Sequence, residues 1–136
     1  MRHATVILLI VTSLALFSAC TAAPRHRTTN AAARPAVINH VVLFKLKNSN
    51  DASELIQDCD RDLSGIPGIV SYYAGKRLDI GRPHVETNFD VGFYVGFQNQ
   101  TDYAAYLSHP KHVAAVAKWN PRCESIRIQD VIDETP

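Results

Sequence analysis

The segment Tyr106-Leu-Ser-His109-Pro-Lys-His112 sets a phenol and two imidazoles close together, and His40 supplies another imidazole far upstream. These groups suit the movement of a proton beside a carbonyl. An imidazole fits the role of base because its free pKa lies near neutrality. A phenol hydroxyl fits the donor that holds a carbonyl or enolate oxygen as charge develops there. Tyr106 and His112 lie six positions apart, which on an unbroken helix places them on opposite sides. Pro110 changes this, because the residue before a proline is pushed out of helical geometry and the chain can fold His112 back toward Tyr106. A plainer reading stands beside the chemical one. The His-Pro-x-His pattern is then only the architecture of a helix break, with each imidazole bonded to a backbone carbonyl. On that reading Tyr106 is a core aromatic and His40 a satisfied core histidine. His109 is assigned to structure and His84, in a polar loop, to the surface. No carboxylate is obviously placed with the histidines and no CxxC or Cys/His spacing occurs, so no metal site is expected.

Positioning these groups requires a strand that carries His40 and a broken helix that carries the rest. Ile38 to Lys47 (INHVVLFKLK) is rich in β-formers without a breaker. It places His40, Val42, Phe44 and Leu46 on one face, with Val41 and Leu43 on the other. Asn50 or Asp51 then caps a helix whose apolar positions Ala52, Leu55, Ile56, Cys59 and Leu63 form one stripe. Gly65 ends it, and Ile66-Pro67-Gly68 redirects the chain. Ile69 to Leu78 reads as a second strand, Asp79 to Asn88 as a long polar loop, and Phe89 to Phe97 as a third strand. Phe89, Val91, Phe93, Val95 and Phe97 share one face of that strand. Gly92 and Gly96 lie on the other, where a neighbour must approach the backbone closely. Thr101 or Asn99 caps a second helix with Tyr103, Tyr106 and Leu107 on its apolar side. A short helix from Lys111 to Lys118 follows the proline, and Cys123 to Ile132 is the fourth strand.

The order is β-α-β-β-α-β, an α+β fold of the ferredoxin-like plan with helices on one face of an antiparallel sheet. The other face, with Val41 and Leu43, is too apolar to stay wet, so pairing of two sheets in a symmetric homodimer is expected. A pocket between helices and sheet would be lined by Val42, Phe44, Leu55, Phe93 and Val95, with His40 completing the polar cluster of Tyr106 and His112. Four of the 14 Lys/Arg precede Val37 while all 13 Asp/Glu follow it, so the domain is net negative and lacks the basic excess that nucleic acid requires.

The N-terminus reads as an address. Met1-Arg2-His3 is a short positive start, and Ala4 to Phe17 is an apolar run too short to span a bilayer. Residues 1–19 are expected to be a signal sequence. Ser18-Ala19-Cys20 resembles the bacterial lipobox, which implies lipidation of Cys20, a membrane anchor and a place in the cell envelope. The alternatives are ordinary cleavage with release to the periplasm or medium, or a buried N-terminal helix. Residues 20–36, rich in Ala, Thr, Pro and Arg, form a flexible linker. Cys59 and Cys123 remain. Export permits a bridge between them, whereas the helical stripe favours Cys59 as a small packed hydrophobe.

Taken together, His40-Val-Val-Leu-Phe-Lys45, Ile66-Pro67-Gly68, Phe89-Asp90 and the Tyr106–His112 segment resemble the stress-responsive A/B barrel (Dabb) family over residues 37–133. The resemblance implies a dimeric α+β barrel and a family of diverse functions. One plant member is a cyclase that closes a polyketide thioester by intramolecular aldol condensation. By that likeness its tyrosine–histidine pair falls on Tyr106 and His112, here the candidate catalytic residues, and its first-strand histidine on His40. His40, Val42, Phe44 and Phe93 are the candidate ligand-binding residues, and no cofactor is implied. A pocket tyrosine of that cyclase falls on Cys59, so that part of the site is not kept. Three functions remain open: a module binding a small apolar or amphipathic molecule, a cofactor-independent enzyme of cyclase, lyase or monooxygenase-like type, and a structural or interaction protein with a sealed core.

Overall fold

The computed structural model describes residues 34–134. The expected signal sequence, Cys20 and most of the linker lie outside the described residues. The domain runs β1 (Ile38–Leu46), α1 (Ala52–Asp58), β2 (Ile69–Lys76), β3 (Val91–Phe97), α2 (Gln100–Ser108), α3 (Pro110–Trp119) and β4 (Cys123–Ile132). The strands form one sheet in the order β2-β3-β1-β4, every neighbouring pair antiparallel. This is the ferredoxin-like α+β fold expected from the element order. The hydrophobic core lies between helices and sheet. Leu55 from α1, Tyr106 from α2 and Val91, Val95 and Phe97 from β3 are its largest fully buried side chains. Burial of each contributes roughly 1.5–3 kcal/mol for aliphatic and aromatic groups.

β1 sits between β3 and β4, and its register decides what meets His40. Val95 stands opposite on one side and Asp130 on the other. β2 and β3 are shorter than the sequence pattern implies, ending at Lys76 and starting at Val91. Asp90 is the reason. Its N–H donates to the Phe44 carbonyl at 2.8 Å, and its carboxylate accepts from the Leu46 N–H at 2.8 Å and from Lys45 at 3.2 Å. Pinned so, it closes the ladder and leaves Phe89 in the loop.

The helix caps also differ in part from expectation. Asn48, not Asn50 or Asp51, provides the side-chain acceptor ahead of α1, bonding the Asn50 N–H within a short 3₁₀ turn. Beyond Asp58 the helix widens into a π turn over Cys59–Leu63, in which the Ser64 N–H reaches back to the Cys59 carbonyl at 3.2 Å. The Asp60 carbonyl released by that shift accepts from the Ser64 hydroxyl at 2.6 Å. Asn99 caps α2 by accepting from the Asp102 N–H at 2.9 Å, so Thr101 falls inside the helix. Cys59 and Cys123 are both buried and free, which removes the bridge alternative.

On the open face, the close approach inferred at the glycines is found at Gly96. A Cβ there would collide with the Ser71 hydroxyl and lie 2.7 Å from that of Tyr94. Gly92 meets only ordinary contacts, from Phe89 and Leu43. Among the described residues, no helix is long and apolar enough to cross a membrane.

Candidate functional site

The helix break forms as the sequence implies. His109 leaves helical geometry at φ −64°, ψ 134°, and Pro110 occupies the first position of α3. There its missing N–H costs nothing and its fixed φ suits the new helix. The His109 Nδ1 accepts from the Lys111 N–H at 3.3 Å, so this imidazole caps α3 and belongs to the architecture. His84 is exposed in its loop, in a left-handed conformation at φ 62°.

The break turns His112 back against Tyr106, and the two ring centroids lie 4.5 Å apart. His112 Nδ1 lies 3.0 Å from the Leu107 carbonyl, which can only accept, so Nδ1 carries the proton. Burial pushes the His112 pKa below its ordinary value of 6.5, more than the carbonyl contact raises it. The imidazole is therefore neutral at pH 7 and its Nε2 holds a free lone pair. Tyr106 is 1% exposed and lines the cavity described below, and no hydrogen bond among the described residues engages its hydroxyl. Burial drives its pKa upward, so it stays a donor.

His40 belongs to a second arrangement that sequence reasoning missed. Its Nδ1 lies 2.7 Å from Asp130 Oδ1 and 3.0 Å from the Tyr103 hydroxyl. The carboxylate can only accept, so Nδ1–H donates to it. The Tyr103 hydroxyl also faces the Asp130 carboxylate, and burial followed by that interaction pushes its pKa up to about 12. Both partners had a visible but unread signal. Asp130 interrupts an apolar alternation in β4, and Tyr103 lies one helical turn before Tyr106. What a linear sequence lacks is the β1–β4 register that brings Asp130 opposite His40.

His40, Tyr106 and His112 line one cavity of about 280 Å³, together with Val42, Phe44, Leu55 and Phe93. The candidate site residues are thus brought together. Val95 is the exception: it is fully buried and absent from the wall, so its expected lining role is corrected. Cys59 lines the cavity floor instead. Burial, then the nearby aspartates, push its thiol up to about 12, so it contributes volume and no nucleophile. Leu107, Val116 and Ile128 line the cavity yet remain exposed, which marks its mouth between α3 and β4. Among the described residues, no three His, Cys, Asp or Glu side chains are grouped to hold a metal ion.

A cavity roofed by a proline-broken helix on this sheet invites comparison with known proteins, and the family model for the stress responsive A/B barrel domain matches residues 38–133. The chain belongs to this family. A stress-response A/B barrel domain-containing protein of Arabidopsis thaliana is 25% identical over 91 residues, covering 67% of this chain and 81% of the relative. Among solved structures, a Dabb family protein from Mesorhizobium loti with a ferredoxin-like fold shares 28% identity at a TM-score of 0.61, covering 72% of this chain and 97% of that one. A dimeric ferredoxin-like protein from Bacteroides fragilis shares 25% identity at a TM-score of 0.52, covering 71% and 95%. The hydroxynitrile lyase of Passiflora edulis matches at a TM-score of 0.63 over 76% and 99%, but at 19% identity it speaks for the fold alone. The A/B barrel fold therefore houses enzymes as well as members whose function is unknown.

Proposed function

We propose that this A/B barrel domain binds a small, mostly apolar molecule bearing a carbonyl or hydroxyl oxygen. One observation carries the reading: the Tyr106 hydroxyl, unengaged among the described residues, and the neutral His112 ring share the wall of a mostly apolar cavity. An apolar pocket with a few convergent polar groups is the usual form of a small-molecule site. Calorimetric titration with straight-chain methyl ketones tests it. Saturable binding that weakens about tenfold in Tyr106→Phe is expected for a lost hydrogen bond to a buried oxygen. Equal affinity in both proteins would refute it.

A second reading is cofactor-independent proton abstraction beside the bound carbonyl, and the proton-free Nε2 of His112 favours it. Exchange of the ketone's α-protons with deuterated solvent measures that step without knowledge of the natural substrate. A wild-type acceleration reduced by about 10²–10⁴ in His112→Ala would support general-base action. Exchange at the same rate in both would leave a binding module.

The chain is further proposed to pair through its open sheet face, where Tyr73 and Val131 are exposed and Val41 and Leu43 half-buried. Support comes from that unpartnered apolar surface and from the dimeric Bacteroides fragilis relative. Leu43→Glu should convert the dimer to a folded monomer in sedimentation analysis. For the N-terminus we retain the proposal of export and lipidation at Cys20, supported by the apolar run and Ser18-Ala19-Cys20. A Cys20→Ala variant should leave the membrane fraction, and unchanged retention would contradict the anchor.

A further inference from the structure

The chain has a single tryptophan, and Trp119 closes the far side of the cavity. It also lines a second hollow of about 240 Å³ between α3 and the end of α1 with its π turn, together with Asp58, Asp62, Lys111, Ala114, Ala115 and Lys118. The indole and Ala115 are the residues common to both linings. Between the two spaces there is thus a thin partition rather than a layer of core.

Three contacts hold the indole in that plane. Its Nε1–H donates to Asp58 Oδ2 at 3.0 Å. The Arg122 guanidinium stacks over the ring at 4.0 Å, and the Lys118 ammonium lies 5.2 Å from the ring centroid. Asp58 is 7% exposed, an unusual setting for a carboxylate, and it also accepts from Arg61 at 2.7 Å and from Lys118. Burial pushes its carboxyl up, but the bonds from Lys118, Arg61 and Trp119 outweigh burial and hold it below the ordinary carboxylate range. The two cations do not depend on Asp58 alone, since Arg61 also pairs with Asp62 and Lys118 with Glu54. Trp119 has no second acceptor among its described contacts. The arrangement serves the indole more than it serves the cations.

We propose that Trp119 is the wall that sets how long a ligand the cavity accepts, and that Asp58 is the positioning residue that keeps it closed. This rests on the ligand-binding reading above. Release of the indole opens the cavity into the second hollow beside Ala115, which lines both.

Two measurements on the full chain test the proposal. The first needs no ligand: acrylamide quenching of Trp119 fluorescence. Asp58→Leu removes the acceptor and should raise quenching severalfold, whereas Asp58→Asn keeps an oxygen for Nε1–H and should match the wild type. The second is calorimetric titration with methyl ketones of increasing chain length. Wild type should show a cut-off at which one further methylene loses about tenfold in affinity, as overpacking against a fixed wall requires. Asp58→Leu and Trp119→Phe, which removes the donor while keeping an aromatic ring, should both move the cut-off to longer chains. Should Asp58→Leu fold poorly, Trp119→Phe carries the length test alone. Unchanged quenching in Asp58→Leu, or one cut-off shared by all forms, overturns the proposal. Quenching that rises while no ketone binds any form would sink the ligand reading and leave the pinned wall standing.

Discussion

Two histidines look into the same cavity from opposite sides, and they are held in different ways. His40 sits on the central strand, 4% exposed, with its Nδ1 against Asp130 and Tyr103. His112 sits in the first turn after Pro110, half-buried, and among the described residues bonds only the Leu107 carbonyl. Strand and side-chain partners give the first a fixed orientation. The second has one backbone partner, a pKa pushed down by burial, and a ring nitrogen left free to take a proton. Tyr106 stands between them, its ring centroid 6.1 Å from His40 and 4.5 Å from His112. The contrast separates a residue that orients from one that can react.

The most damaging change to both arrangements is loss of the ring between them. Tyr106→Ala should cost about 3–5 kcal/mol of stability in urea unfolding, the usual range for emptying a buried aromatic site. Tyr106→Phe should remain near the wild type, which separates the ring from its hydroxyl.

The His40 side is tested by Asp130→Ala, which strips the acceptor from two donors that are buried or partly buried. A loss of roughly 1–3 kcal/mol is expected. His112→Gln, which breaks only a half-exposed contact to one carbonyl, should cost clearly less. Equal losses would mean that the two histidines are held alike after all.

A finer difference should appear with pH. The folded-state pKa of His112 is depressed, so below the ordinary value of 6.5 the unfolded chain binds a proton that the native site resists. Its contribution to stability is complete above that value. It is lost progressively as pH falls from 6.5 through the lowered native value. Thermal unfolding of wild type should therefore lose more over that window than unfolding of His112→Gln. Parallel profiles would show that His112 titrates as it does in the unfolded chain.

Legibility in the sequence followed the range of the interactions. Alternation in INHVVLFKL placed His40, Val42 and Phe44 toward the helices, because strand period is a local property. Pro110 revealed the break that joins Tyr106 to His112, again a local steric effect. Asp130 was not legible, since it meets His40 across a pairing 90 residues apart in sequence. Tyr103 reads in the sequence as part of the apolar side of α2, because nothing nearby announces a carboxylate facing its hydroxyl. The π turn at Cys59–Leu63 has no local signal either. Its widened geometry brings Cys59 to the cavity floor, and the Asp60 carboxylate receives the Tyr72 hydroxyl at 2.7 Å.

The most direct measurement is the carbon-13 shift of the carbonyl in labelled methyl pentyl ketone bound to wild type, Tyr106→Phe and His112→Ala. If the cavity receives a carbonyl at the Tyr106 hydroxyl, the bound resonance in wild type moves downfield of the ketone in hydrocarbon. Tyr106→Phe should lose that displacement, and His112→Ala should keep it. A bound shift identical in wild type and Tyr106→Phe, or no bound resonance at saturating ketone, would contradict the account.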